Sequence, residues 1–201
     1  SVTLNSLTLS GNVVAANNTT TNLAGTTTNT GTISLNATSN LTQISYNGSG
    51  TLSGAGTILM NQTSSGMPAI TGSGTLVSNN RIQGSGSIGL NSIGFVNLST
   101  ITATNPVAHL IVDPANGASF VNNGTLQSGA GTLTLSGFGG GDFQNAAGRI
   151  VAGAGDVNLI SNPSIVSGTF LGGAAGVIRV VAGNQATLNA ITSSANLTAD
   201  N

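Results

Sequence analysis

Apolar residues in this chain alternate with Thr, Ser and Asn in short runs: Leu7-Thr8-Leu9, Thr32-Ile33-Ser34-Leu35, Thr132-Leu133-Thr134-Leu135 and Val157-Asn158-Leu159. A period of two puts the apolar side chains on one face and the hydroxyls and amides on the other, which predicts half-buried β-strands. Gly and Asn clusters interrupt the runs where turns need a positive φ. Helix is disfavoured throughout, because Gly and β-branched residues recur every few positions while Lys and Glu are absent.

One phrase returns along the chain: Gly, a small residue, Gly, any residue, then apolar-x-apolar. It stands at Gly54-Ala55-Gly56-Thr57-Ile58-Leu59-Met60, Gly84-Ser85-Gly86-Ser87-Ile88-Gly89-Leu90, Gly129-Ala130-Gly131-Thr132-Leu133-Thr134-Leu135 and Gly153-Ala154-Gly155-Asp156-Val157-Asn158-Leu159. Looser copies begin at Gly31 and Gly176, and Leu110-Ile111-Val112 fills a gap between them. The markers Gly31, Gly56, Gly86, Ala108, Gly131, Gly155 and Gly176 follow one another at steps mostly in the low twenties, with one longer step from Gly56 to Gly86. A second strand signal lies upstream of the phrase, at Gly50-Thr51-Leu52, Gly124-Thr125-Leu126, Gly148-Arg149-Ile150 and Gly168-Thr169-Phe170.

Steps of that size suit one coil of a parallel β-helix, with about three short strands per coil. A lone coil cannot bury its apolar row, whereas stacked coils bury it and satisfy the backbone together. The expected fold is therefore all-β, a right-handed parallel β-helix (solenoid) of about 23 residues per coil and about eight coils. Ile33, Ile58, Ile88, Leu110, Leu133, Val157 and Ile178 are expected to form one interior column. Leu35, Met60, Leu90, Val112, Leu135, Leu159 and Val180 are expected to form a second. Asn79-Asn80 and Asn122-Asn123 fall at turns where amides can stack from coil to coil.

A longer period lies over the short one. Val2 to Asn17 is echoed by Ala186 to Asn201, with eight of sixteen positions identical. That offset equals eight coils of the expected length, so the chain reads as a single solenoid segment, 1–201. One large repeat spans about 1–184, and 185–201 opens the next. Ser1 leads directly into strand-like sequence and no signal peptide is read, so the expectation is a piece of mature or longer protein. Both ends carry strand sequence without a polar cap, which predicts edge-to-edge association.

Composition sharpens this picture at one point. Only 3% of residues are charged, against roughly a quarter in ordinary globular proteins. Stacked like charges repel at the coil spacing, which is a physical reason for their scarcity. An aromatic content of 3% suggests a narrow interior that aliphatics and Ala fill better than rings. A net charge of −1 leaves no electrostatic footprint for nucleic acid. No apolar run approaches the roughly 20 residues of a spanning helix, and there is no Cys for disulfides or thiolate metal sites.

The phrases Asn122-Asn123-Gly124-Thr125-Leu126-Gln127-Ser128-Gly129-Ala130-Gly131 and Asn145-Ala146-Ala147-Gly148-Arg149-Ile150-Val151-Ala152-Gly153-Ala154-Gly155 resemble the repeats of filamentous-haemagglutinin-type adhesins. They are also similar to the β-helical passengers of bacterial autotransporters. The resemblance covers most of residues 25–180. It implies a right-handed parallel β-helix, export across a Gram-negative envelope to the cell surface, and adhesion or fibre formation. It carries no functional residues over to this chain.

Candidate chemistry is thin. Acid-base or calcium-dependent attack on a polysaccharide needs paired carboxylates or a ligand cluster. The acids here are Asp113, Asp142, Asp156 and Asp200 alone. Asp142 and Asp156 are closer in sequence than one coil step, so they are not stacked neighbours, and Asp113 beside Pro114 reads as a turn former. Asp156 and Arg179 fall on adjacent coils and one outward face, where a surface ion pair is expected. Arg149 replaces Thr125 and Thr169 at another outward position, and Arg81 completes the cations. His109 has no second imidazole with which to hold a metal. Gly139-Gly140-Gly141 lacks the Lys and following helix of a phosphate cradle. Nine Asn-x-Ser/Thr sequons, from Asn17 to Asn196, are close to what this composition produces by chance. The stretches Thr19-Thr20-Thr21 and Thr26-Thr27-Thr28 invite comparison with ice-binding solenoids. The outward positions of the repeated phrase (Thr32, Leu59, Gly89, Ile111, Thr134, Asn158 and Arg179) are, however, not a Thr array.

The expected function is a structural or adhesive extracellular fibre of tandem β-solenoid repeats, without catalysis, cofactor or metal. Its partners would be identical repeats or subunits stacked end to end, with glycan or a cell-surface protein as further partners. The alternative is a passenger-type module that binds glycan or protein through an irregular coil, and the weakened motif between Ile93 and Ile111 is where it would lie. A carbohydrate-active enzyme and an ice-binding protein rank lower.

Overall fold

Stacked coils satisfy both demands of the sequence, and the computed structural model of the chain, which describes residues 1–173 and 175–201, is built from them. Its 28 strands run in three parallel sheets, here named A, B and C, of ten, nine and nine strands. Consecutive strands fall in successive sheets, so every third strand pairs with its predecessor. The result is a solenoid of nine complete coils and the first strand of a tenth, one coil more than expected. Coil length in sheet A is uneven: the step from Ile44 to Ile70 is its longest, and the next step, from Ile70 to Ile88, its shortest. No α-helix occurs among the described residues; a single 3-10 turn spans Phe138–Gly140.

Inward positions of the three sheets form one continuous core. In sheet C the column runs Ile33, Ile58, Ile82, Ile101, Leu126, Ile150 and Phe170, each opposite the next. All seven are essentially inaccessible to solvent. Each such side chain contributes on the order of 1.5–3 kcal/mol relative to exposure. In sheet B the column Leu76, Phe95, Phe120, Phe143 and Ile165 carries three rings in succession. Phe95 and Phe120 stack with centroids 5.2 Å apart and planes 5° from parallel. Phe120 and Phe143 follow at 5.8 Å and 36°. Those separations are close to the ~4.8 Å between stacked strands, so rings in one column stack simply because the coils do. Tyr46 and Phe170 are buried as well. Aliphatics and Ala fill most of the interior, as expected, and three of the rings gather in one column of sheet B.

Two of the expected columns need redrawing. Leu110, Leu133, Val157 and Ile178 do lie in one column of sheet A, and Val112, Leu135, Leu159 and Val180 in the column beside it. Ile33 with Ile58, and Leu35 with Met60, are paired in sheet C instead. Ile88 enters sheet A opposite Val112 rather than Leu110. Leu90 lies outside the strands, in a turn with φ 47°. The cause is the shared in-out alternation of all three sheets: an apolar-x-apolar phrase says which face is inward but not which sheet it joins. The long step from Gly56 to Gly86 is therefore one coil plus one strand.

The same slip affects the long echo. Val2–Asn5 is a strand of sheet A, but its echo Thr187–Asn189 is a strand of sheet B. Thr8–Leu9 and Thr192–Ser193 fall in sheets B and C, and Asn12–Ala15 and Leu197–Ala199 in sheets C and A. Inward positions still correspond, since Leu4 packs on the core and Leu188 pairs with the core residue Ile165. The offset between the two copies thus carries the chain through eight coils and one further strand, not through whole coils.

Candidate functional site

Each corner of a solenoid must turn the chain without stranding polar groups, and here the corner between sheets B and C does so with asparagine. Asn29, Asn80, Asn97, Asn122 and Asn145 are all buried. The Asn97 amide nitrogen donates to Asn122 Oδ1 at 2.8 Å, and that of Asn122 donates to Asn145 Oδ1 at 2.7 Å. Register makes this continuous, because Asn97 and Asn122 are paired at the end of their strands. Lower in the stack Asn29 reaches Asn80 directly at 2.6 Å, past the coil that carries Gly54 at this corner. The Asn80 amide also donates to the carbonyls of Ser53 and Gly54, at 3.0 and 3.1 Å. Of the amides expected to stack, Asn80 and Asn122 do, whereas Asn79 and Asn123 are exposed.

A second corner, between sheets A and B, is closed by an aromatic. Tyr46 is buried at the end of its sheet A strand, and its hydroxyl donates to the Gly25 carbonyl one coil below. Burial raises the phenol pKa, with a backbone hydrogen bond at Thr51 acting in the opposite sense. The ring occupies the space a Cβ at Gly50 would need, so only Gly fits there.

The charged residues are distributed along the outside. Arg179 Nη2 bonds Asp156 Oδ2 at 2.7 Å on the adjacent coil, as expected. Asp200, which the spacing did not single out, adds a longer contact to Arg179 at 3.6 Å. Asp156 also accepts a hydrogen bond from the Val177 backbone at 3.0 Å, so it fixes the approach to the next sheet A strand. Arg149 stands opposite Thr125 and Thr169. Arg81, in the same outward column, is separated from Arg149 by Thr100 and Thr125. Like charges never occupy neighbouring coils of that column, in keeping with their repulsion at this spacing. His109 is exposed and its Nδ1 lies 3.1 Å from Thr134 Oγ1. Asp113 sits at the corner between sheets A and B with one carboxylate oxygen unpartnered. Burial pushes its carboxyl above the usual range, against hydrogen bonds from Ser136 and the Asn91 backbone. Gly139-Gly140-Gly141 packs against Asn91, Asn116 and Pro114 of the coils below, in the role of a corner turn. Among the described residues no three His or Asp side chains converge on a common point.

Comparison with protein-family models, with curated proteins and with solved structures finds no match to this chain. The solenoid itself is what bears on function, and its first and last coils differ from the rest in exposure. At the first coil Val2 is 50% exposed; at the last, Leu188 is 37% and Leu197 49% exposed. Their partners one coil further in, Thr21, Ile165 and Ile178, are buried. Each end thus presents inward-facing apolar side chains together with a row of strand hydrogen-bonding groups that has no pair within the chain.

Proposed function

We infer that the chain is a non-catalytic segment of a cell-surface fibre, with identical repeats or subunits stacked end to end as its partners. The observation that carries this reading is the uninterrupted stack of coils in three parallel sheets around one continuous buried core. A parallel edge with its apolar row exposed is complementary to another such edge in backbone pairing, spacing and hydrophobicity. The resemblance to filamentous-haemagglutinin-type and autotransporter-passenger repeats supports an extracellular, Gram-negative setting, with adhesion or filament building as the role. Each added coil lengthens such a fibre by about 4.8 Å. Stiffness follows from the continuous core, and the neutral Thr-, Ser- and Asn-rich exterior keeps neighbouring coils free of charge repulsion.

The test is the association state of residues 1–201. Light scattering and electron microscopy are expected to show concentration-dependent, end-to-end particles one solenoid wide. Leu188→Lys together with Leu197→Lys places charge on one end and is expected to stop growth while far-UV circular dichroism stays unchanged. A chain that remains monomeric at every attainable concentration, or a double variant that assembles like the parent, would overturn the reading.

A further inference from the structure

The irregularity most relevant to binding lies at the corner between sheets C and A. Coil 4 (strands Met67–Ser73, Thr75–Ser78 and Arg81–Gly84) passes into sheet A through the single residue Ser85 before the strand Gly86–Ile88 begins. The coils on either side make this crossing in longer segments, 63–66 below and 104–109 above. So tight a corner requires backbone that L-side chains rarely adopt: Gly84 has φ 132° and Gly86 has φ 118°. A Cβ on either would collide with the carbonyl of Met60 or Pro68. The short corner between two long ones leaves a notch in the wall of the solenoid.

One side chain divides it. Asn105 Nδ2 reaches back over coil 4 to donate to the Gln62 carbonyl at 3.3 Å and to Ser85 Oγ at 3.2 Å. Its Oδ1 accepts from the Val107 backbone at 3.0 Å, which holds the upper segment in place. On the sheet C side of this bridge is a groove of about 510 Å³, and on the sheet A side one of about 350 Å³. Both volumes lie in the range of small-molecule sites, about 300–1,000 Å³.

The linings state what would fit. The larger lobe carries four amide side chains, Asn36, Asn61, Gln62 and Asn105, with the hydroxyls of Thr38, Thr63 and Thr104. Asn61 Nδ2 donates to Asn36 Oδ1 at 2.8 Å, so the amides are already ordered along the stack. Met60 beneath them is buried in the core. The smaller lobe is more apolar, with Met67, Val107, Ala108 and Ile111 beside His109, and Val107 at its rim is 89% exposed. No Arg or Asp lines either lobe.

We propose that this notch is a binding site for a neutral saccharide. Amides and hydroxyls that each donate and accept match vicinal sugar hydroxyls, whose oxygens also do both. The apolar side chains of the adjoining smaller lobe match the C–H face of a pyranose ring. A lining without Arg gives uronate or sulfate groups no fixed cation to pair with, so the preferred ligand is uncharged. A coil that departs from the regular corner is what creates the recess, which places the site where the repeated motif weakens. The proposal is independent of the fibre reading, since it needs only a single folded segment.

The experiment is a titration of the chain with neutral trisaccharides (chitotriose, maltotriose, mannotriose and xylotriose), followed by NMR shifts and calorimetry. At least one is expected to bind saturably, with shifts confined to residues around Gln62, Gly84 and Asn105. Asn61→Ala removes one donor and acceptor and is expected to weaken binding by about five- to tenfold. Thr104→Arg, which puts a long cation into the larger lobe, is expected to abolish it, and Asn123→Ala on another corner is expected to leave it unchanged. Circular dichroism establishes that each variant is folded. The proposal is overturned if no trisaccharide binds at concentrations up to about 10 mM, or if both groove variants bind like the parent. Tighter binding of uronic or sulfated oligosaccharides than of their neutral counterparts would also overturn it, as would an extended peptide occupying the groove in their place.

Discussion

Replacing Asn122 by Asp tests the corner ladder with a minimal change of side chain. In the native chain the Asn122 amide nitrogen donates to Asn145 Oδ1 at 2.7 Å and to the Arg149 carbonyl at 3.1 Å, while its oxygen accepts from Asn97 at 2.8 Å. An ionised Asp keeps the last bond and converts the other two into oxygen facing oxygen, in a site that is 1% exposed. A buried acceptor that loses its donor costs about 1–3 kcal/mol, and a buried charge without a partner costs more. Two lost donors therefore amount to at least about 3 kcal/mol at pH 7, or a fall in Tm of about 6–12 °C for a chain of this size. A protonated Asp can donate once, and burial without a partner raises a carboxyl pKa, so the deficit is expected to shrink as pH falls from neutral toward the ordinary carboxylate value of about 3.9 and to level off below it. Thermal and urea unfolding followed by circular dichroism, at neutral pH and at about pH 3.5, measure both effects. Asn123→Asp, one residue along and exposed, serves as the matched control and is expected to change stability by less than about 0.5 kcal/mol. If N122D and N123D unfold alike at neutral pH, the amide ladder contributes no specific stability and the reasoning fails.

Three further outcomes are expected. Phe120→Ala, at the centre of the ring column, is expected to lose about 3–5 kcal/mol in denaturant unfolding, whereas Phe138→Ala, at a ring 62% exposed, loses little; equal losses would contradict the stacked core. Asp113→Asn is expected to raise Tm at neutral pH. The native carboxyl has its pKa raised by burial, so stability falls as pH rises from the ordinary carboxylate value of about 3.9 through the native one. The variant's advantage should vanish below about pH 3.5, and an advantage that persists there would show another cause. Arg179→Ala is expected to cost no more than about 1 kcal/mol, because its ion pair with Asp156 is a third exposed on both sides; a double-mutant cycle with Asp156→Ala measures it.

Much of this molecule is decided locally. The alternation around Ile33, Ile58, Leu133 and Val157 determines that these residues point inward, and Gly and Asn between the runs determine where the chain turns. Repetition of that pattern requires stacking, since no single coil can bury its own row. The adjacency of Asp156 and Arg179 follows from the same spacing. What local pattern cannot decide is which of three equivalent sheets a strand joins, because all three use one in-out code. Ile58 and Ile88 carry the same phrase yet lie in different sheets, and Val2–Asn5 and its echo do as well.

Corner length sets the assignment, and corner length is a tertiary property. Ser85 alone spans the corner between Gly84 and Gly86, whose positive φ and close approach to the carbonyls of Met60 and Pro68 leave no room for a Cβ on either glycine. The notch beside it exists only because the coils above and below turn more widely. Asn122 is a buried ladder rung and Asn123 a solvated neighbour for the same reason: one of them meets Asn97 and Asn145 across the stack, and the other meets water. Two adjacent residues of one type differ here only in what the next coil brings to them.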